Sequence, residues 1–137
     1  MKYTVDDIDI YIMTHNRADY LMLSIESLLN QSAGVSKITV LDNESTDNTL
    51  SAVERFSSRG VRYIRTKGFL GNFKKAQEIA SGKYEMLFHD DDILHPLYLE
   101  LALQVLNEKD DISLITTRYT EFFDDDFPGM PESIGPD

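Results

Sequence analysis

Short apolar runs alternate with longer amphipathic segments along this chain, and that alternation limits the fold more than any other feature. Continuous or period-two apolar runs predict strands, whereas apolar residues spaced three and four apart predict helices. The predicted strands are Ile8–Met13, Lys37–Leu41, Val61–Arg65, Tyr84–Phe88 and Asp111–Thr116. The predicted helices are Asp19–Gln31, Ser45–Ser58, Leu70–Ser81 and Pro96–Asn107. This alternation predicts an α/β fold, a three-layer α/β/α sandwich around a mostly parallel, Rossmann-like sheet.

The spacing of apolar side chains also predicts which residues of each helix face the sheet. The predicted inward residues are Leu21, Ile25, Leu28 and Leu29, then Leu50, Val53 and Phe56, then Phe73, Ala76 and Ala80, and finally Leu97, Leu101 and Val105. Ser45 or Thr46 is predicted to cap the second helix, and Pro96 to lie in the first turn of the fourth.

Polar residues cluster directly after three of the predicted strands. The clusters are Thr14-His15-Asn16-Arg17, Asp42-Asn43-Glu44-Ser45-Thr46-Asp47 and His89-Asp90-Asp91-Asp92. Because right-handed crossovers place the carboxyl ends of parallel strands at one edge, we expect the three clusters to meet there. Open α/β sheets bind their ligands at that edge.

The third cluster places three adjacent carboxylates at a strand end, where they repel one another. A hard cation such as Mg²⁺ or Mn²⁺ would offset that repulsion, because such ions prefer oxygen ligands. The plainer interpretation is that acids favour the N-terminus of the following helix. That interpretation explains Asp92 as a capping acid. It leaves Asp91, with Asp90 or His89, as candidate metal ligands.

The other polar residues could contact an organic ligand or could simply shape turns. Arg17 can bind a phosphate or pair with an acid, whereas Asn16 and Asp19 could do no more than build a turn and cap a helix. Asp42 and Asn43 carry groups suited to a ribose and a base. An Asx turn and an N-cap would account for Ser45, Thr46 and Asp47, but not for Asp42. Before the third helix, Gly71 allows close backbone approach and Asn72 offers an amide.

Composition narrows the partners and the location. The formal net charge of −11 argues against nucleic acid as a partner, since binding its phosphates needs clustered Lys and Arg. With no cysteine there is no disulfide framework and no thiolate metal site. No apolar stretch is long enough for a transmembrane segment, and the N-terminus lacks a signal-peptide pattern, which predicts a cytoplasmic protein. We expect one domain over residues 1–118, followed by an acidic, Pro- and Gly-containing tail over 119–137.

Three stretches together resemble a known family. They are residues 10–17, residues 39–49 and residues 80–92, which include the three clusters in order. The chain resembles the nucleotide-diphospho-sugar glycosyltransferases of the GT-A fold, specifically the inverting family 2, over residues 8 to about 116.

The resemblance implies roles for individual residues. It implies a donor-binding set that consists of Thr14, His15, Asn16, Arg17, Asp42, Asn43, Gly71, Asn72 and Asp90. Asp91 matches the second acid of the family's Asp-x-Asp motif, which holds Mg²⁺ or Mn²⁺ on the diphosphate. His89 stands where the first acid is common, so that Asp90, His89 or water would complete the metal shell.

The resemblance implies sugar transfer from a UDP- or dTDP-sugar to a saccharide or lipid-linked acceptor, in the cytoplasm or at the inner face of the membrane. In the family, the general base and the acceptor pocket come from a C-terminal half that follows this region. We therefore expect a donor-binding half with its catalytic base outside this chain, and a truncated, non-catalytic nucleotide-sugar-binding module is the alternative. A receiver-type domain is a poor fit, because the third predicted strand is followed by Thr66 and Lys67 where a phosphoacceptor Asp is needed.

Overall fold

A computed structural model describes residues 1–68, 70–127 and 129 of the chain. The strands are β1 (Ile8–Thr14), β2 (Lys37–Asn43), β3 (Val61–Thr66) and β4 (Tyr84–His89). The helices are α1 (Ala18–Leu29), α2 (Thr49–Glu54), α3 (Gly71–Ile79) and α4 (Tyr98–Glu108), with short 3₁₀ turns at Val5–Asp7, Ser57–Arg59 and Asp124–Asp126. Among these residues, no helix is long and apolar enough to cross a membrane.

The four strands form one parallel sheet in the order β3-β2-β1-β4. At its carboxyl edge, Thr14 lies opposite Asp42, and Met13 lies opposite His89. On the far side of β2, Asn43 lies opposite Thr66. The predicted α/β sandwich is confirmed, and its register brings the three polar loops to one edge.

The two faces of the sheet pack against different helices. On one face, side chains such as Ile10, Ile12 and Val40 join the buried residues of α1, α2 and α4 in the larger core. On the other face, Tyr11 and Leu41 pack with Ala76 of α3 in a smaller core. Strand side chains alternate between faces, so neighbouring residues of one strand belong to different cores.

The prediction of a fifth strand over Asp111–Thr116 is wrong. Residues 112–120 form no ladder with β4 within the described part of the chain, and Leu114 is 78% exposed. A hydrogen bond from the Tyr84 hydroxyl to the Ile112 carbonyl, at 3.0 Å, holds the start of the segment. A short apolar run forms a strand only where a partner satisfies its backbone and covers its side chains.

The predicted inward face of α4 is also wrong. Leu99, Leu103 and Leu106 are buried, whereas Leu101 is 54% and Val105 is 41% exposed. The helix carries two apolar stripes, and spacing alone could not choose between them. Of the remaining inward predictions, Leu50 is 46% exposed, Phe73 is 40% exposed and Ala80 is exposed.

Further boundary predictions change. Neither Ser45 nor Thr46 caps α2, which begins at Thr49 with Asn48 at the N-cap position. Because α4 begins at Tyr98, Pro96 precedes the first turn and Asp92 lies too far ahead to cap the helix. The predicted tail is only partly described: the Tyr20 hydroxyl donates to Asp124 at 2.6 Å, and residues 128 and 130–137 lie outside the described part.

Asp9 fastens the connection between α3 and β4 to the start of β1. Its Oδ2 accepts hydrogen bonds from the backbone N–H groups of Ser81, at 2.6 Å, and Gly82, at 2.8 Å. Its Oδ1 lies 3.0 Å from the Lys37 ammonium. Burial alone would raise the pKa of Asp9, but these backbone donors and Lys37 together lower it to about 2.

Candidate functional site

An open cleft of about 290 Å³ lies at the carboxyl edge of the sheet, where the polar loops meet. Its lining residues are Met13, Thr14, His15, Arg17, Asn43, Asn72 and Asp90. Apart from Met13, each of these is a predicted donor-binding residue. Asn16, Asp42 and Gly71 do not line the cleft. A cavity of about 40 Å³ elsewhere in the structure is bordered by Asp9 and Lys37, which already pair with each other.

Asn16 ties the loop after β1 to the loop after β2. Its backbone is left-handed, with φ of 52°, a conformation that Asn tolerates better than most residues. Its Oδ1 accepts from the N–H groups of Thr46, at 2.7 Å, and Asp47, at 3.3 Å. Its own N–H donates to the Ser45 hydroxyl at 2.8 Å. These contacts agree with the turn-building interpretation of Asn16.

The N-terminus of α1 is satisfied from outside the helix. The N–H of Ala18 donates to Asp47 Oδ2 at 3.2 Å, and Arg17 at the N-cap position makes no capping hydrogen bond with its side chain. Asp19, a predicted cap, lies within the first turn instead. The Arg17 side chain therefore takes no part in capping α1.

Asp42 is sealed beneath the loop that follows β2. It is fully buried, its Oδ1 accepts from the N–H of Ser45 at 3.0 Å and from the Ser45 hydroxyl, and its Oδ2 accepts from the Tyr63 hydroxyl at 2.5 Å. Arg65 Nη1 lies 3.7 Å from Oδ2. Its carboxylate thus supports the loop, and sequence reasoning missed its partners Tyr63 and Arg65 on β3.

Asn43, one residue further along, faces the cleft. Its Oδ1 is buried and has no hydrogen-bond partner among the described residues. An unpaired buried polar atom is costly, so a group that could donate to this oxygen would be stabilising there. Gly71 lies beside it, since a Cβ built at Gly71 would be 3.7 Å from the same oxygen.

Asn72 and His15 complete this side of the cleft. The Asn72 Oδ1 accepts from the hydroxyl of Thr66, a residue at the end of β3 that sequence reasoning did not single out. The position of Thr66, a polar residue at the end of a predicted strand, could have marked it as a candidate site residue. The His15 Nδ1 lies 2.7 Å from the Asn43 carbonyl, and its Nε2 lies 3.2 Å from the Asn16 amide nitrogen. A neutral ring protonated at Nδ1 satisfies both contacts.

Arg17 and Asp90 line one corner of the cleft, and Asp91 joins this charged corner from beside the cleft, through its contact with Arg17. Arg17 Nη1 lies 2.7 Å from Asp91 Oδ2 and 3.3 Å from Asp90 Oδ1. Asp90 is 4% exposed, and its Oδ2 also accepts from the Thr14 hydroxyl at 2.8 Å. The charges of Asp90 and then Asp91 raise the pKa of Arg17.

The two carboxylates fit a divalent cation in part. Their oxygens already converge on one cationic nitrogen, and hard oxygen donors suit Mg²⁺ or Mn²⁺. Within the described residues, however, no group of three or more His, Cys, Asp or Glu side chains is placed to hold a metal. The predicted helper His89 is exposed at the end of β4. Such a pair of acids fits an ion that takes its other ligands from phosphate and water.

Asp92 stands apart from this pair. Its backbone carbonyl accepts from the Ser24 hydroxyl at 2.7 Å, which anchors the loop after β4 to α1. Partial burial, and then the like charge of Asp91, raise the pKa of its carboxyl.

Comparison with known proteins gives consistent matches. A family model described as "Glycosyl transferase family 2" matches residues 9–134. An uncharacterized glycosyltransferase of Haemophilus influenzae is 30% identical over 111 residues, which cover 77% of this chain and 34% of that protein. The chain thus spans about a third of the length of that relative.

Solved structures share the fold. TarS 1-349 of S. aureus, in complex with UDP, has a TM-score of 0.63 and 22% identity over 74% of this chain and 32% of its own. The mannosyltransferase PcManGT from Pyrobaculum calidifontis, in complex with GDP-Man and Mn²⁺, has a TM-score of 0.60 and 22% identity over 70% of this chain and 30% of its own. At this identity, both likenesses establish the architecture alone.

Proposed function

This chain belongs to glycosyl transferase family 2, and from that premise we propose that it carries the donor side of a sugar-transfer site. The proposed reaction transfers a sugar from a nucleotide-diphospho-sugar, a UDP- or dTDP-sugar, to a saccharide or lipid-linked acceptor. The observation that carries the proposal is the cleft at the carboxyl edge of the sheet. Amide side chains lie at one end of this cleft, and the charged corner lies at the other. A nucleoside diphosphate likewise has hydrogen-bonding groups at its nucleoside end and negative charge at its diphosphate end.

At the amide end, Asn43 and Asn72 are the proposed contacts of the nucleoside. The unpaired Asn43 Oδ1 can accept a hydrogen bond from a base N–H or a ribose hydroxyl. Asp42 acts behind them, by holding the loop through Ser45 and Tyr63 rather than by touching the ligand. Within the second cluster, Asn43 rather than Asp42 is therefore the proposed contact of the nucleoside.

At the charged corner, Asp90 and Asp91 are the proposed protein ligands of Mg²⁺ or Mn²⁺. A bound divalent ion supplies positive charge against the departing nucleoside diphosphate. Thr14 fixes Asp90 through its hydroxyl, and the pair has the hard oxygen atoms such an ion needs. His89 is the third candidate ligand.

A non-catalytic donor-binding module is the second candidate function. Asp90 is the only carboxylate among the described residues that line the cleft, and Thr14 and Arg17 already engage it. Among the described residues that line the cleft, no carboxylate is therefore free to act as a general base and remove a proton from an acceptor hydroxyl. Assays of donor hydrolysis and of sugar transfer with the same chain would separate an enzyme from a binding module.

Calorimetric titration with UDP, dTDP and GDP, each with and without Mn²⁺, tests the proposal. We expect at least one nucleotide to bind in the presence of Mn²⁺, and Asp91→Ala to weaken that binding by about tenfold or more, because a charged ligand of the ion is lost. Glu26→Ala is the matched control, since Glu26 is an acid of similar exposure in an ion pair with Arg59. If no nucleotide binds with metal present, the donor-site proposal fails.

A further inference from the structure

We propose that Arg17 is a built-in counter-ion of the charged corner, which leaves Asp91 when a divalent ion arrives together with a diphosphate and then binds that diphosphate. The inference rests on the proposed function and adds a mechanism by which metal and nucleotide bind together. It starts from one nitrogen atom, Arg17 Nη1, that contacts both acids at 2.7 and 3.3 Å.

The two acids are held very differently. Asp90 is buried, and its Oδ2 accepts a hydrogen bond from Thr14 at 2.8 Å that does not involve Arg17. The Asp91 side chain is 48% exposed, and Arg17 is its hydrogen-bond partner among the described residues. Asp91 can therefore exchange one cation for another without disturbing the rest of the corner.

Arg17 is placed so that its guanidinium can move while its backbone stays fixed. The left-handed Asn16 before it is tied to Thr46 and Asp47, and Ala18 after it is tied to Asp47. The Arg17 side chain itself is 51% exposed. A long, half-exposed side chain on a fixed backbone changes partner by rotating about its own bonds.

A divalent ion and the guanidinium exclude each other at Asp91. Mg²⁺ binds carboxylate oxygen at about 2.0–2.1 Å, and a second cation on the same oxygen would be strongly repelled. Without a diphosphate, the displaced guanidinium gains no anion in place of Asp91 and keeps only its contact with Asp90. With one, its planar fork of N–H groups can contact two phosphate oxygens at once, which lysine cannot do in the same way. Metal and diphosphate should therefore each strengthen the binding of the other.

The test measures how tightly this chain binds Mn²⁺ in the absence of nucleotide. Electron paramagnetic resonance reports the concentration of free Mn²⁺ during the titration. We expect Arg17→Ala to tighten binding of Mn²⁺ alone by about two- to tenfold, because the competing cation is gone. The same variant should bind UDP about tenfold or more weakly when Mn²⁺ is saturating, because a charge-assisted contact is lost. Arg17→Lys should keep the weak Mn²⁺ affinity of the wild type but lose part of the UDP affinity.

Arg59→Ala is the matched control, since Arg59 is 44% exposed and pairs with Glu26 at 3.2 Å away from the cleft. It should change neither affinity. If Arg17→Ala leaves the affinity for Mn²⁺ alone unchanged or weakens it, the counter-ion proposal is wrong and Arg17 only holds Asp91 in place. Arg17→Gln gives the same reading should the alanine variant fail to fold. A wild type that binds Mn²⁺ but no nucleotide would instead defeat the proposed function.

Discussion

At the scale of single residues, two carboxylates show how burial and partners decide what an acid does. Asp9 and Asp42 are both almost fully buried, and the carboxylate oxygens of both accept hydrogen bonds from neighbouring loops. Asp9 accepts from the backbone of Ser81 and Gly82, a tight connection in which a Cβ at Gly82 would lie 2.6 Å from the Asp7 carbonyl oxygen. A side chain at position 82 would therefore push against backbone.

Replacement of Asp9 by Asn should destabilise the fold by about 2 kcal/mol at neutral pH, because a pKa lowered from 3.8 to about 2 reflects that much preference for the charged form. A lowered folded pKa means that this stabilisation is complete above the unfolded value. It is lost as the pH falls through the folded one. Urea unfolding of wild type and Asp9→Asn at several pH values measures this.

The difference between the two proteins should shrink as the pH falls from about 4 towards 2. Asp110→Asn, which alters a 90% exposed acid beside Lys2, should show no such dependence. A difference that stays constant over that range would mean that Asp9 acts through packing rather than charge.

Residue patterns predicted which polar side chains reach the edge of the sheet but not which of them face the cleft. Strand alternation offered the missing signal, because Ile38, Val40 and Asp42 share the face of the larger core whereas Asn43 does not. No local pattern could reveal that Arg17 pairs with Asp91, since the two lie 74 residues apart and meet only in the folded sheet.

At the scale of elements, the strands were predictable and the orientation of α4 was not. The four described strands have short continuous or alternating apolar runs bounded by polar loops, and the predicted bounds of each agree with the observed ones to within two residues. In α4 the apolar residues surround most of the helix, so only the packed structure distinguishes Leu103 from Leu101. The false fifth strand has the same cause, since an apolar run says nothing about whether a partner is present.

Leu103→Ala should destabilise the protein by about 2–5 kcal/mol, whereas Leu101→Ala should change stability by no more than about 0.5 kcal/mol. Leu103 is 9% exposed and belongs to the larger core, whereas Leu101 is 54% exposed. Chemical unfolding of both variants compares them directly. Equal losses, or a larger loss at Leu101, would show that α4 is rotated towards the face that its apolar spacing predicted.

At the scale of the whole molecule, protection should be greatest at the centre of the sheet. All seven residues of β1 are buried, and β1 is paired on both sides. Amide hydrogen exchange should therefore be slowest in β1 and fast in residues 112–123, which are mostly exposed. Exchange followed by NMR measures this residue by residue. Exchange in β1 as fast as in the edge strand β3 would contradict it.

The order of the strands also sets a length. Asn43 lies at the end of β2 and Asp90 just after β4, and β1 stands between those two strands. Neighbouring strands lie about 4.8 Å apart, so the two ends of the cleft are separated by roughly 10 Å of rigid backbone spacing. Substitution of side chains cannot change that spacing. The sheet thus sets a minimum length for any ligand that contacts both ends of the cleft. A ligand shorter than two strand spacings can contact only one end.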